Sequence, residues 1–172
     1  LDLIPEIAKI FYDKKISFEW SLVGHNSKKV RDLSGMREFD NNFKYFDNIE
    51  NLEEEIFPHS HLIKIFKENH LYINLSRIES FGVTIIESLA ANLPVVTFDT
   101  KGGNELIVDN YNGRVLKNYS AKEMVDAIIN YQKNKDMYEN HQRNTLNSVD
   151  KFDLIKITEK TLGIYQKLIL KD

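Results

Sequence analysis

The sequence predicts an α/β fold, a doubly wound parallel sheet with helices on both faces. Three observations carry the prediction. Short strand-type apolar stretches alternate with helix-type periodic stretches along the chain. Residues 71–105 show this alternation most compactly, reading as strand, tight turn, helix, strand and glycine turn. No internal repeat or low-complexity linker interrupts the 172 residues, a length suited to one domain with a real core.

Taken in order, Ile4, Ile7, Ala8, Phe11 and Tyr12 fall on one helical face, with Pro5 suited to the first turn. Residues 18–24 alternate and end in Gly24, as a strand leading into a turn does. A short helix is expected around Val30 and Leu33, then an aromatic strand over residues 43–46. An acidic connection containing Leu52 and Ile56 follows, and a short helix covers residues 62–66. Strands are expected at 71–75 and 94–98, with a helix over 83–91 between them and Asn92 at its C-terminal cap. Gly102 and Gly103 are expected to turn the chain into a short helix holding Leu106 and Ile107. Asn112-Gly113 marks a turn before a strand over 114–116. Ser120-Ala121-Lys122-Glu123 has the capping-box pattern and opens a helix around Met124, Val125, Ile128 and Ile129. A polar helix surrounds Met137, Tyr138 and Leu146. A last amphipathic helix over 152–170 is expected to turn Leu154, Ile157, Leu162, Tyr165, Leu168 and Ile169 inward.

Composition excludes several functions. The chain is 42% hydrophobic and 28% charged, which is globular rather than disordered. Its 23 basic and 26 acidic residues give a net charge of -3, no global case for nucleic acid or a membrane surface. Without cysteine there is no disulfide, thiolate metal site or cysteine nucleophile. No apolar run approaches the ~20 residues of a membrane helix, and no signal-peptide pattern appears. The first residue is Leu and the chain opens inside a helical pattern, so a piece of a longer protein is expected.

In a parallel sheet, ligands bind outside the carboxyl ends of the strands. Gly24-His25, Asp47-Asn48, residues 77–82 and residues 100–103 all fall at such ends. Glu79 and Glu87 bracket the turn that leads into the helix over 83–91. A helix N-terminus offers free N–H groups and a positive dipole end, which suit phosphate. An ionised carboxylate only accepts hydrogen bonds, which suits hydroxyls. Phosphate with hydroxyls is the outline of a nucleotide sugar. Plainer roles stand beside these. Thr84-x-x-Glu87 is also a capping box, Glu79 a solvated loop acid, and Ser80 a helix cap. Arg77 pairs with a phosphate or with Glu79. Gly102-Gly103 is a plain turn or lies near phosphate or sugar. Histidines 25, 59, 61, 70 and 141 are scattered, and His59-x-His61 has no metal partner in the sequence.

The stretch Glu79-Ser80-Phe81-Gly82-Val83-Thr84-Ile85-Ile86-Glu87 resembles the E-x7-E signature of retaining glycosyltransferases of family 4, which have the GT-B fold. Residues 88–96, Ser-Leu-Ala-Ala-Asn-Leu-Pro-Val-Val, are similar to that family's E-A-M-A-x-G-x-P-V-V run. Residues 102–107 are similar to its G-G-x-x-E-x-V/I, Asn112-Gly113 to its N-G, and the segment 152–168 to its final helix. The resemblance implies a Rossmann-like domain, the nucleotide-sugar-binding C-terminal half of a GT-B architecture, spanning residues 1–172. It further implies retaining transfer of a hexose from a nucleoside diphosphate sugar such as a UDP-sugar to an acceptor hydroxyl, in cell-surface polysaccharide or glycoconjugate synthesis. In that family the departing phosphate helps deprotonate the acceptor. Carried over, Glu79 meets the transferred sugar as the catalytic residue and Glu87 the ribose. Phe81, Gly82, Val83 and Thr84 form the phosphate turn, with Arg77, Ser80, Gly102 and Gly103 beside the donor. Asp47 to Ile49, Asn48 among them, lie near the base.

Departures from the family pattern matter as well. No G-R-x4-K loop precedes residue 20, so the first strand of the family's donor half, the cationic loop after it and the N-terminal acceptor domain are all expected to lie outside these residues. The isolated chain is accordingly expected to be inactive, with Arg77 or Lys101 the available substitutes for the missing cations. The expected partners are a nucleotide sugar and, through the missing domain, an acceptor sugar or lipid-linked glycan, with no nucleic acid. Any membrane association runs through the missing part, in a cytoplasmic protein or one at the inner face of the membrane. The absence of D-x-D agrees with a mechanism without metal or other cofactor. A nucleotide-sugar epimerase, a non-catalytic GT-B-like binding module and a receiver-like domain remain alternatives. No G-x-G-x-x-G, Walker loop or G-x-S-x-G supports a dehydrogenase, NTPase or hydrolase.

Overall fold

The computed structural model describes residues 2–47 and 60–169. Its strands lie in two parallel ladders. β1 (Trp20–Val23) pairs with β2 (Phe43–Phe46). β3 (Tyr72–Asn74), β4 (Val95–Phe98) and β5 (Gly113–Leu116) pair in that order. The helices are α1 (Ile4–Asp13), α2 (Ser60–Lys67), α3 (Val83–Ala90), α4 (Lys101–Leu106), α5 (Ala121–Lys133), α6 (Lys135–Val149) and α7 (Leu154–Ile169). The predicted α/β class holds. One sheet was expected, but among the described residues no strand bonds β1 to β3, so the sheet is divided.

β4 shows why the core forms where it does. All four of its residues are buried. Successive side chains of a strand point to opposite faces. Val96 and Phe98 pack with Ile7, Phe11, Met124, Val125 and Tyr131 of α1 and α5. Val95 packs on the other face with Ile85 and Leu89 of α3 and Leu106 of α4. A central parallel strand covered on both faces reads as a continuous apolar run, as 95–98 does. A further cluster joins Ile4 and Ala8 of α1 to Val30, Met36, Phe39 and Phe43 around the β1–β2 ladder.

Several local expectations change. The helix expected at 27–40 is two 3-10 segments, Ser27–Asp32 and Arg37–Asn42, with Gly35 between them at φ 84. Tyr12 is exposed, because the apolar face of α1 is narrower than the spacing suggested. Leu146 is half out in solvent, and α6 buries His141 and Thr145 instead. His141 meets the Tyr131 hydroxyl at 2.7 Å, and burial holds its imidazole below the ordinary pKa. At α5 the Ser120 hydroxyl accepts the Glu123 N–H as the capping pattern predicts, while the Glu123 carboxylate turns to Asn118. α7 forms, but Leu154, Ile157, Leu162, Tyr165, Leu168 and Ile169 are all exposed. The periodicity reports an apolar face and not a partner for it.

Asn92 ends α3 as expected of a C-terminal stop. Its φ is 68, and the Asn92 and Leu93 N–H groups donate back to Leu89 and Ser88 at 3.0 Å each. Those are the two bonds of a Schellman closure. The Thr145 hydroxyl of α6 also donates to the Asn92 side chain at 3.0 Å. The C-terminal end of α3 is thereby fixed, and with it the direction of its N-terminus.

Candidate functional site

The loop from β3 to α3 carries most of the sequence-predicted site residues. Gly82 is the residue before the first turn of α3, with φ 83 and ψ 56 and no side-chain cap. A left-handed residue here is best served by glycine. Gly82 is buried, and an added Cβ would stand 2.9 Å from Ile85 Cδ1. The Ile85 and Ile86 N–H groups both donate to Gly82 O, at 2.9 and 3.2 Å. No acceptor among the described residues takes the N–H groups of Val83 and Thr84. Phe81, Val83 and Thr84 are exposed, so the uncapped turn opens outward. Free N–H groups at a helix start favour an anion.

The two carboxylates bear on one neighbourhood. The Tyr72 hydroxyl donates to Thr84 Oγ1 at 2.9 Å. Burial raises the pKa of this phenol. The Thr84 hydrogen bond opposes that shift, and the negative charges of Glu79 and Glu87 add to it. Glu79, Glu87, Thr84 and Tyr72 therefore share one electrostatic environment, with both carboxylates half-buried. Tyr72 escaped the sequence reading. A strand aromatic gives no local sign that it will reach a residue twelve positions on. The capping-box alternative falls, since Gly82 holds the cap position and Thr84 lies inside the helix. Ser80 is likewise not a helix cap.

Gly102 and Gly103 do not form a turn. They lie buried in the first turn of α4, capped by Thr100, whose Oγ1 accepts the Gly103 N–H at 3.2 Å. The Gly102 N–H donates to Glu79 O at 3.0 Å. A Cβ on Gly102 would stand 2.6 Å from that oxygen, 2.7 Å from Ser80 C and 2.8 Å from Phe81 N. Absence of a side chain lets α4 abut the loop and hold the Glu79–Ser80–Phe81 backbone in place.

Arg77 does not pair with Glu79. Its guanidinium lies 3.8 Å over the Tyr119 ring and bonds Asp2. The single Tyr119 hydroxyl proton is shared between Asp2, at 2.9 Å, and Leu75 O, at 3.2 Å. Hydrogen bonds from Arg77 and then Tyr119 hold the Asp2 carboxyl down at about 2. Phe81 meets Phe152 edge-on at 5.7 Å. Asn48 and His59 lie outside the described residues. Among those residues no cluster of His, Asp and Glu has a metal-binding arrangement, and no helix is long and apolar enough to cross a membrane.

A parallel α/β domain with an open helix start beside two carboxylates belongs to the class of sheet proteins that take ligands at the strand ends. The family follows from comparison. The family model for glycosyl transferases group 1 matches residues 7–147, and the chain belongs to that family. It is 26% identical over 170 residues to the poly(ribitol-phosphate) alpha-N-acetylglucosaminyltransferase of Staphylococcus aureus (strain COL), covering 96% of this chain and 32% of that protein. It is 30% identical over 88 residues to the poly(glycerol-phosphate) alpha-glucosyltransferase of Bacillus subtilis (strain 168), covering 51% of this chain and 13% of that one. The crystal structure of the pneumococcal O-GlcNAc transferase GtfA with UDP and GlcNAc superposes with a TM-score of 0.73 at 17% identity, covering 97% of this chain and 32% of that one. The fold is thus that of one part of GT-B glycosyltransferase structures. The chain spans about a third of the first relative and less of the second.

Proposed function

We propose that this chain is the donor-binding half of a retaining glycosyltransferase that moves a hexose from a nucleoside diphosphate sugar to a cell-surface polymer. The observation that carries the proposal is the uncapped start of α3, with Glu79 ahead of it in the loop, Glu87 one turn inside the helix, and both charges acting on Tyr72, whose hydroxyl bonds Thr84. The N–H groups of Val83 and Thr84 receive the diphosphate. Glu87 accepts from the ribose hydroxyls and Glu79 faces the sugar. Gly102 and Gly103 serve by holding the loop, since Glu79 O and Thr100 Oγ1 already take their N–H groups. Charge developing on the leaving phosphate is met by helix N–H groups and not by a metal ion. The alpha-linking enzymes among the relatives support retention, and their polyol-phosphate acceptors support a cell-wall polymer. The acceptor is held by polypeptide beyond these residues, and the protein works in the cytoplasm. The 172 residues alone transfer no sugar.

The test is a thermal-shift panel of UDP-N-acetylglucosamine, UDP-glucose and other nucleotide sugars on the complete protein and on Glu87→Ala. A ligand that binds only the folded state raises its stability by mass action. Glu87→Ala is expected to abolish most of the shift. If every shift survives, the ribose assignment fails. Anomeric analysis of the product by NMR decides retention. Free epimerised donor in place of glycoside would move the protein to the epimerases.

A further inference from the structure

A hydroxyl inside a helix commonly gives its proton to a carbonyl three or four residues back. Here Ser88 donates to Ile85 O, Thr145 to Gln142 O, Ser148 to Asn144 O and Thr161 to Ile157 O, each at 2.8 Å. Thr84 departs from that pattern. It is the second residue of α3, so the residues three and four before it, Phe81 and Ser80, lie ahead of the helix. It is exposed, and the bond its side chain makes is one it accepts, from Tyr72 Oη at 2.9 Å. Two hydroxyls carry two protons, and the bond between them uses one. A phenol, with an ordinary pKa of about 10, is far more acidic than an alcohol and is the better donor. The proton left over is therefore that of Thr84, and among the described residues no acceptor takes it. The Val83 and Thr84 N–H groups are likewise open. Three donors thus stand on two consecutive residues.

Tyr72 is built to hold the Thr84 hydroxyl still. It belongs to β3, and its ring meets the buried Phe66 of α2 edge-on at 6.0 Å. It also packs against the cluster of Ile85, Leu89 and Val95. Burial raises its pKa, so the phenol keeps its proton at neutral pH and remains a donor. A helical threonine divides between two rotamers, and the bond from Tyr72 favours one of them. Support of this kind, from a side chain locked by packing, is what makes a binding group precise.

We propose that the Thr84 hydroxyl is a further hydrogen-bond donor to the diphosphate of the nucleotide, beside the Val83 and Thr84 N–H groups, and that Tyr72 is the residue that positions it. That role presupposes the donor-site reading of the α3 turn. Hydrogen bonds arranged head to tail polarise one another. A chain from Tyr72 Oη to Thr84 Oγ1 to a phosphate oxygen runs in one sense and ends on the anion. It supplies a neutral donor beside a cation that is otherwise engaged, since Arg77 is held by Asp2 and Tyr119.

Calorimetric titration of the complete protein with UDP, ADP and GDP tests the pair, the tightest of the three being carried through the variants. Thr84→Val keeps the shape and removes the donor. It is expected to weaken diphosphate binding roughly 10-fold or more, as loss of a hydrogen bond to a charged group does. Thr84→Ser should restore most of that affinity. Tyr72→Phe keeps the ring and should weaken binding about 3-fold. Its effect should disappear when residue 84 is already valine, because nothing is left to position. The matching nucleoside, which has no phosphate, should bind the parent and Thr84→Val alike in ligand-observed NMR. Parent-like nucleotide affinity in Thr84→Val overturns the proposal and leaves the donor site standing. Equal losses for nucleoside and nucleotide put the hydroxyl at the ribose, and overturn it as well. Additive effects of the two substitutions overturn the role given to Tyr72. A parent protein that binds none of the three nucleotides ends the donor-site reading itself, and this role with it.

Discussion

α3 and α4 begin eighteen residues apart in sequence, at Val83 and Lys101, on the same side of β4, and their N-termini are built in opposite ways. α4 opens on Thr100, whose hydroxyl takes a helix N–H, and its first turn is buried against the Glu79 loop. α3 opens on Gly82, takes no side-chain cap, and leaves the Val83 and Thr84 N–H groups facing out. Helix starts left uncapped cost stability. One start is therefore a structural anchor, and the other is held open by that anchor. The glycines of α4 serve the neighbouring loop, and the glycine of α3 serves its own turn.

Substitutions at the two starts should separate these roles. The largest effect is expected for Gly102→Ala, whose Cβ would meet main-chain atoms of residues 79–81. Backbone cannot yield as a side-chain tip can, so a loss of about 1–3 kcal/mol is expected. Nucleotide-sugar affinity should fall by about tenfold or more, equivalent to about 1.4 kcal/mol, and calorimetry on the complete protein reads both. Gly82→Ala should cost about 1–2 kcal/mol for a left-handed residue with a Cβ. Because its nearest contact is the tip of Ile85, most of that loss should appear in thermal melts. Thr100→Ala removes a cap worth about 1 kcal/mol. It should leave nucleotide affinity near the parent value in the same titration. A large affinity loss there would end the distinction between anchor and open start. The smallest effect concerns Asp2. Its folded pKa of about 2 lies below the ordinary 3.8, so its contribution is full above the ordinary value and fades as pH falls through about 2. The stability gap between the parent and Asp2→Asn should therefore be constant from neutral pH to about 5 and then close on further acidification, in urea melts at stepped pH.

Much of this was legible in the sequence, for a physical reason. β4 reads as Val-Val-Thr-Phe between Pro94 and Asp99, and no exposed strand needs four buried residues in a row. The turn at Gly82 was visible because the residues that demand it are adjacent. Arg77 was not legible, since its partners Asp2 and Tyr119 lie far away in sequence. Tyr72 was missed on the same ground. The glycines at 102 and 103 misled, because glycine marks both a turn and a close approach, and only the neighbouring loop decides which. α7 misled in another way, since an apolar face states a need without naming what meets it.

The joining of Arg77, Asp2 and Tyr119 has a kinetic consequence. Asp2 bonds a residue 75 positions away and another 117 positions away. Such contacts close long loops, and their entropy must be overcome before they contribute. The latch on the loop carrying Glu79 can therefore form only after the chain has folded through β5. A protein arrested before that point would hold its helices while the loop carrying Glu79 still lacked its tie to the start of the chain.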